Sequence, residues 1–124
     1  MRFALDCCAL LKRLSYDEPG RTVKGQLARA STGLAFNYRS ACRARSHSEF
    51  TSRIGVAADE ADESQGWLEF TEAAGLITAP ELLRLIDESR ELVSIMSASV
   101  GTAREEDRRR KRREPNQSPD QSPN

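Results

Sequence analysis

The chain has 124 residues, of which 38% are apolar, 31% charged and 6% aromatic, and its 19 basic residues balance its 19 acidic ones. This length fits one domain, the low aromatic content favours helices, and the balanced charge argues against a chain whose whole surface attracts polyanions. No apolar run approaches the roughly 18 residues that cross a bilayer, so we expect no transmembrane helix and no membrane partner.

The first two predicted helices carry apolar residues at alternating spacings of three and four, which is the period of one helix face. The first helix covers residues 3–14. Asp6 interrupts its apolar run and no small-residue cleavage pattern follows, so it is not predicted to be a signal peptide, and a cytoplasmic location is expected. A break at residues 17–20 separates it from a second helix over residues 21–45. The predicted core positions are Phe3, Cys7, Leu10 and Leu14, then Val23, Leu27, Ala30, Leu34, Asn37 and Ala41.

The third and fourth predicted helices each begin at a capping-box pattern, in which a hydroxyl residue precedes a glutamate by three positions. Ser46 and Glu49 open the third helix, and Gly75 is placed to end it. Thr78 and Glu81 open the fourth, which is predicted to end near Glu105. Their predicted core faces comprise Phe50, Ile54, Ala57, Ala61, Ser64 and Leu68, then Leu82, Ile86, Val93, Met96 and Val100.

Four helices with short connections predict an all-α fold, an antiparallel up-down-up-down four-helix bundle over residues 1–106. The two halves of the predicted bundle have opposite net charges, +6 over residues 1–47 and −8 over residues 48–103. From about Asp107 the chain reads RRRKRR and then a stretch rich in Pro, Ser and Gln. Such a composition does not bury a core, so residues 107–124 are predicted to be a disordered tail.

Two segments, residues 26–50 and 58–77, resemble the bacterial four-helix-bundle proteins of the 23S ribosomal RNA intervening-sequence type. The pattern begins with Gln-Leu-x-Arg-Ala, continues through a central Asn and an Arg-Ser-x-x-Glu-Phe junction, and closes on Gly-Leu-Ile. The matching positions are Gln26, Leu27, Arg29, Ala30, Asn37, Arg45, Ser46, Glu49 and Phe50. Residues 39–41 depart from it, since they read Arg-Ser-Ala where many members have Ala-Glu-Gly.

This resemblance implies a homopentameric ring of bundles without known enzymatic activity. A related protein, the accessory protein of diversity-generating retroelements, binds nucleic acid and a reverse transcriptase. The resemblance therefore suggests three kinds of partner: further copies of the chain, RNA or DNA, and another protein such as a reverse transcriptase.

The residues themselves give little support for catalysis. His47 is the only histidine, and we expect it to face solvent in the first turn of the third helix. Cys7, Cys8 and Cys42 have no zinc-site spacing and are predicted to be buried or half-buried thiols. The cluster of carboxylates near residue 60 lacks the Glu-x-x-His pairs of a bundle metal site. No catalytic residue, metal or cofactor is predicted.

Three features suggest binding roles instead. Asn37 falls on the core face of the second helix, where a buried amide would fix helix register by a bond across the bundle, with an interface role as the alternative. A second apolar stripe on the third helix, beside Glu63, predicts an oligomer interface, with a wide core stripe as the alternative. The interface candidates are Val56, Glu63, Trp67 and Phe70. The outer side of the second helix carries arginines around an aromatic ring, a combination that binds phosphates and stacks a base. These nucleic-acid-binding candidates are Arg21, Arg29, Phe36, Arg39 and Arg43.

Two functions fit these features. The leading one is a non-enzymatic, homo-oligomeric scaffold or interaction protein. The alternative is a nucleic-acid-binding accessory factor that uses the second helix and the basic tail. In the scaffold, the same arginines would instead pair with acidic residues of a neighbouring subunit's third helix.

Overall fold

A computed structural model describes residues 1–114 as four α-helices: α1 (Arg2–Leu11), α2 (Gly20–Cys42), α3 (His47–Ala73) and α4 (Pro80–Arg113). Each helix packs against the next along the chain, and α4 closes back onto α1. Short connections reverse the chain between them, so the predicted all-α four-helix bundle is confirmed. Among the described helices, none is long and apolar enough to span a bilayer.

The core lies on the faces that the apolar spacing predicts. Every predicted core position is buried except three half-buried ones, Asn37, Phe50 and Val93. The structure adds Ala4, Leu11, Leu85 and Ala103 to the core. Small residues line much of α3, where Ala57, Ala61 and Ser64 are buried against the neighbouring helices.

The helix termini confirm two predicted signals and correct a third. The Ser46 hydroxyl accepts a 3.0 Å bond from the backbone N–H of Glu49, while the Glu49 carboxylate accepts the N–H of Arg45 at 3.3 Å. Gly75 has a positive φ of 65°, and the N–H of Leu76 reaches back to the Thr71 carbonyl, as in a Schellman motif. The Thr78 cap is wrong, because α4 begins after Ala79 and has no side-chain cap.

Helix α4 runs further than predicted, to Arg113 rather than Glu105, so residues 107–113 are helical and not disordered. Ion pairs along its surface explain the difference. Glu105 contacts the side chains of Arg108, Arg109 and Arg112, and Glu106 contacts Arg110. The pairs with Arg108, Arg109 and Arg110 have spacings of three or four residues, which stabilise a helix, and Arg112 lies seven residues from Glu105. The remaining part of the predicted tail, residues 115–124, lies outside the described residues.

Helix α1 is much shorter than α2, with 10 residues against 23. It therefore covers only part of the space between α2 and α4. At the N-terminal end of α1 an open, largely apolar groove is lined by α1, α2 and α4, including Phe3, Leu34, Tyr38 and Ile95.

Candidate nucleic-acid interface

A basic concavity lies where α2 ends and α3 begins. It is an open groove of about 600 Å³, and we call it the arginine groove. Its lining is Phe36, Arg39, Ser40, Arg43, Arg45, Glu49 and Arg53. Four positive charges and one negative charge therefore meet around a single aromatic ring.

The helix period explains how α2 contributes to the groove. Phe36, Arg39 and Arg43 are separated by three and four residues, so they project from one side of α2, opposite its buried seam. The rise of about 1.5 Å per residue places Arg39 and Arg43 about 4.5 and 10.5 Å beyond Phe36 along the helix axis. All three side chains are exposed, and the Phe36 side chain is 55% exposed.

The connection and α3 supply the opposite wall. Arg45 lies in the short connection after α2, and Glu49 and Arg53 follow one helical turn apart on α3. The groove also lies beside the first turns of α3, where the helix dipole favours an anion.

The four arginines of the groove keep their charges available. Among residues 1–114, none of them has a carboxylate within 4.0 Å, whereas eight other arginines do. The one acid in the groove, Glu49, directs its carboxylate to the backbone N–H of Arg45. The groove is therefore a cluster of arginine side chains that have no acidic partner within residues 1–114.

Arg29, a predicted nucleic-acid contact, is used differently. Its guanidinium bridges α2 to α3 by donating to Glu60 at 3.3 Å and to Glu63. The Glu63 carboxylate raises the pKa of Arg29. Partial burial and the neighbouring Glu63 raise the pKa of Glu60. Close approach of the two helices is possible here because Gly33 faces the Glu60 carboxylate, and a Cβ at Gly33 would lie 3.0 Å from it.

The other predicted nucleic-acid contacts do not all lie in the groove. Phe36, Arg39 and Arg43 come together in the groove, whereas Arg21 lies at the opposite end of α2, about 33 Å from Arg43 along the axis. Arg45 and Arg53 were not predicted. The sequence could have indicated them through the predicted break between α2 and α3. A connection this short brings the last turn of α2 beside the first turns of α3, and therefore Arg45 and Arg53 beside Arg39 and Arg43.

The predicted interface residues lie on the outer side of α3. Val56 and Phe70 are exposed, and the rings of Trp67 and Phe70 meet edge to face with centroids 5.8 Å apart. Trp67 is half-buried because it also packs against the core. Glu63, the polar member of this set, pairs with Arg29 of the same chain.

The burial and the hydrogen bond of Asn37 differ from those predicted. It is half-buried rather than buried, and its amide nitrogen donates to the Gly33 carbonyl of its own helix at 2.9 Å. Asn37 therefore makes a local bond within α2 in place of the predicted bond across the bundle.

Two further side chains differ from expectation. His47 is half-buried, and its Nε2 lies 3.0 Å from both the Ala103 carbonyl oxygen and the Asp107 carboxylate, so it joins α3 to α4 instead of facing solvent. Cys42 is exposed, while Cys7 is buried and Cys8 half-buried, as expected. Burial raises the pKa of the Cys7 thiol to about 12, which keeps it protonated and unreactive.

Comparisons with known proteins identify a family and a solved structure to which this chain is similar. The profile of the 23S rRNA-intervening sequence protein family matches residues 1–98. A crystal structure from Bacteroides thetaiotaomicron VPI-5482, described as a protein with unknown function from the S23 ribosomal protein family, is similar to this chain. The TM-score is 0.71 at 25% sequence identity, covering 80% of this chain and 92% of the other. No curated protein matches.

Proposed function

The chain belongs to the 23S rRNA-intervening sequence protein family, and from that premise we propose that it is a non-enzymatic helical-bundle protein that binds nucleic acid through the arginine groove. One observation carries the proposal: four arginines surround an exposed phenylalanine in one open groove, and none of them has an acidic partner in the described part of the chain. Guanidinium groups bind phosphate in a fixed, bidentate geometry, and phosphate contacts supply most of the affinity for nucleic acid.

The ion pairs of α3 favour nucleic-acid binding over the alternative in which the groove arginines pair with a neighbouring subunit. That alternative needs glutamates of α3 to be available to the neighbouring subunit. Glu60 and Glu63 already bind Arg29 of their own chain, and Glu69 lies 3.6 Å from Arg90. These three glutamates of α3, which an intersubunit pairing would use, are therefore already paired within the subunit. Asp59, Asp62 and Glu72 of the same helix are exposed and make no ion pair within residues 1–114.

The proposal is tested by removing two charges from the groove. In Arg39→Gln with Arg43→Gln, we expect weaker binding to labelled RNA and a slope of log affinity against log salt that is shallower by about 1.4 to 1.8, because each lost phosphate contact contributes about 0.7 to 0.9. Fluorescence anisotropy at roughly 50–150 mM salt measures both quantities.

A matched control removes the same charge elsewhere on α2. Arg21→Gln with Lys24→Gln changes two exposed or half-exposed cations at the far end of the helix and should leave the affinity nearly unchanged. Equal losses in both double variants would show a general charge effect and would contradict the groove. A chain ending at Asp107 keeps the contact with His47 and removes residues 108–113, so its retained binding would exclude the basic run as the source.

Self-association is a second proposal, carried by the exposed aromatic side of α3. We propose a homo-oligomeric scaffold, pentameric by resemblance to the family, in which Val56 and Phe70 contact a neighbouring copy. A closed ring joins two different patches, so one substitution in either patch breaks it. Phe70→Glu should reduce the mass measured by light scattering to that of a folded monomer, and Leu83→Glu, at another exposed apolar position, should not. A parent chain that already runs as a monomer would refute this proposal.

The cellular location and a protein partner are proposals as well. A cytoplasmic location is supported by three cysteines that form no disulfide, one of them exposed. A protein partner such as a reverse transcriptase remains a prediction from the family resemblance.

A further inference from the structure

We propose that the arginine groove selects unpaired nucleic acid, with one base stacked on the ring of Phe36; the inference rests on the proposed nucleic-acid-binding function and names its ligand class. The starting observation is the position of Phe36. Its ring is 55% exposed and lies in a groove whose other side chains are almost all charged.

An apolar side chain of a partner protein is a poor occupant for this position. Burying Phe36 against such a side chain would also bring the surrounding arginines out of water, and charged groups lose hydration at a high free-energy cost unless they find partners. A nucleotide satisfies both requirements at once. Its base covers the ring with a flat π-face, and its phosphates pair with the guanidinium groups.

Stacking on Phe36 requires a base with an accessible π-face, and this requirement favours a single strand over a duplex as the ligand. In a duplex each base is stacked between its neighbours, so its faces are hidden and only edges and phosphates are presented. A side chain that stacks on a base therefore requires a strand whose bases can turn outward. Phe36 adds nothing to duplex binding, whereas the arginines contribute to both forms.

The placement along α2 suits one extended strand. Phe36 comes first, followed by Arg39 one turn later and Arg43 two turns later on the same side of the helix. Arg53 of α3 and Arg45 of the connection border the same groove, so phosphates on either side of the stacked base have a cation within the groove. Nothing in this arrangement reads base edges, so the binding should depend little on sequence.

The test compares three labelled probes with the full chain at one salt concentration. They are an oligothymidine of about 12 nucleotides, which covers the usual site sizes, the same backbone carrying abasic spacers, and a duplex of equal length. We expect oligothymidine to bind about 5- to 150-fold more tightly than the abasic strand, the factor that corresponds to about 1–3 kcal/mol for stacking one base.

Variants assign that difference to Phe36. Phe36→Leu should lower the affinity for oligothymidine to that of the abasic strand, leave abasic binding unchanged and keep the salt slope, because no phosphate contact is lost. Phe36→Trp should retain the preference for the unpaired strand, and its indole fluorescence should be quenched on binding. Tyr38→Leu, an exposed aromatic two residues on and on a different side of α2, is the matched control.

Each outcome has a distinct meaning. If oligothymidine, abasic strand and duplex bind alike and Phe36→Leu has no effect, while the arginine double variant still weakens all three, then the groove binds backbone alone and this inference is overturned with the proposed function intact. If no probe binds the parent chain, the proposed function fails and the inference with it. If the groove instead binds an acidic protein, polyglutamate should displace the labelled strands and Phe36→Leu should not change their affinity; this outcome would also overturn the inference.

Discussion

Leu68→Ala should destabilise the bundle more than any exposed substitution, because Leu68 is fully buried (0% exposed) in the helix that packs against both α2 and α4. Leucine-to-alanine changes in cores cost about 2–5 kcal/mol, and the cost rises with the cavity left behind. On the same face of α3, the neighbours Ser64 and Thr71 are small, so they cannot extend into that cavity. We therefore expect a value in the upper half of that range, about 3–5 kcal/mol.

Urea unfolding followed by circular dichroism measures this loss at one protein concentration, which keeps any contribution from association constant. Leu83→Ala is the matched control, since it removes the same atoms from a side chain that is 54% exposed, and it should change stability by no more than about 0.5 kcal/mol. The reasoning is wrong if Leu68→Ala loses less than about 1 kcal/mol or if both variants lose equally.

Three smaller effects follow from the polar contacts. Burial and Glu63 disfavour the charged form of Glu60 and raise its pKa, so the folded state gains stability as pH falls through that pKa. Glu60→Gln should therefore raise the melting temperature at pH 7, and the gain should vanish at about pH 3, where the parent carboxyl is protonated in both states. A gain that is constant across this range would assign the effect to packing. Asp107→Ala should accelerate hydrogen exchange of the amides in residues 104–113 while leaving those of α2 unchanged, because it removes the contact with His47; uniform acceleration would mean global destabilisation. Asn37→Ala should change stability by about 1 kcal/mol or less and leave the oligomeric mass unchanged, since its bond is local to α2; dissociation of the oligomer would restore a role in subunit contacts.

Periodicity was enough to predict the bundle from the sequence, because a buried helix face requires apolar residues at fixed spacings whatever its partner. Helix periodicity also predicted about half of the arginine groove, because Phe36, Arg39 and Arg43 lie on one side of α2. Arg45 and Arg53 did not, because their proximity depends on how the chain turns between α2 and α3. The partner of Arg29 and the surroundings of His47 depend on contacts between helices, which spacing within one helix does not specify.

Asn37 shows a different limit of sequence reasoning. The sequence predicts a buried amide on the core face of α2, whereas the structure leaves Asn37 half-buried. An amide there can stay half-exposed and return its hydrogen bond to Gly33 of its own helix. Helix periodicity predicts the face on which a polar side chain lies, but it does not specify whether that side chain bonds across the bundle or along its own helix.

The extension of α4 has a consequence for how its last turns form. Starting an isolated helix is unfavourable because several residues must be ordered before the first hydrogen bond forms, whereas adding a residue to an existing helix is nearly neutral. Residues 104–113 avoid that starting cost, because Val100 and Ala103 are already held in the core and His47 fixes the next turn. The same ten residues as a separate peptide would have to form their own nucleus and should be mostly coil by circular dichroism. The helical display of the arginines at the end of α4 is thus a property that the folded bundle confers on them.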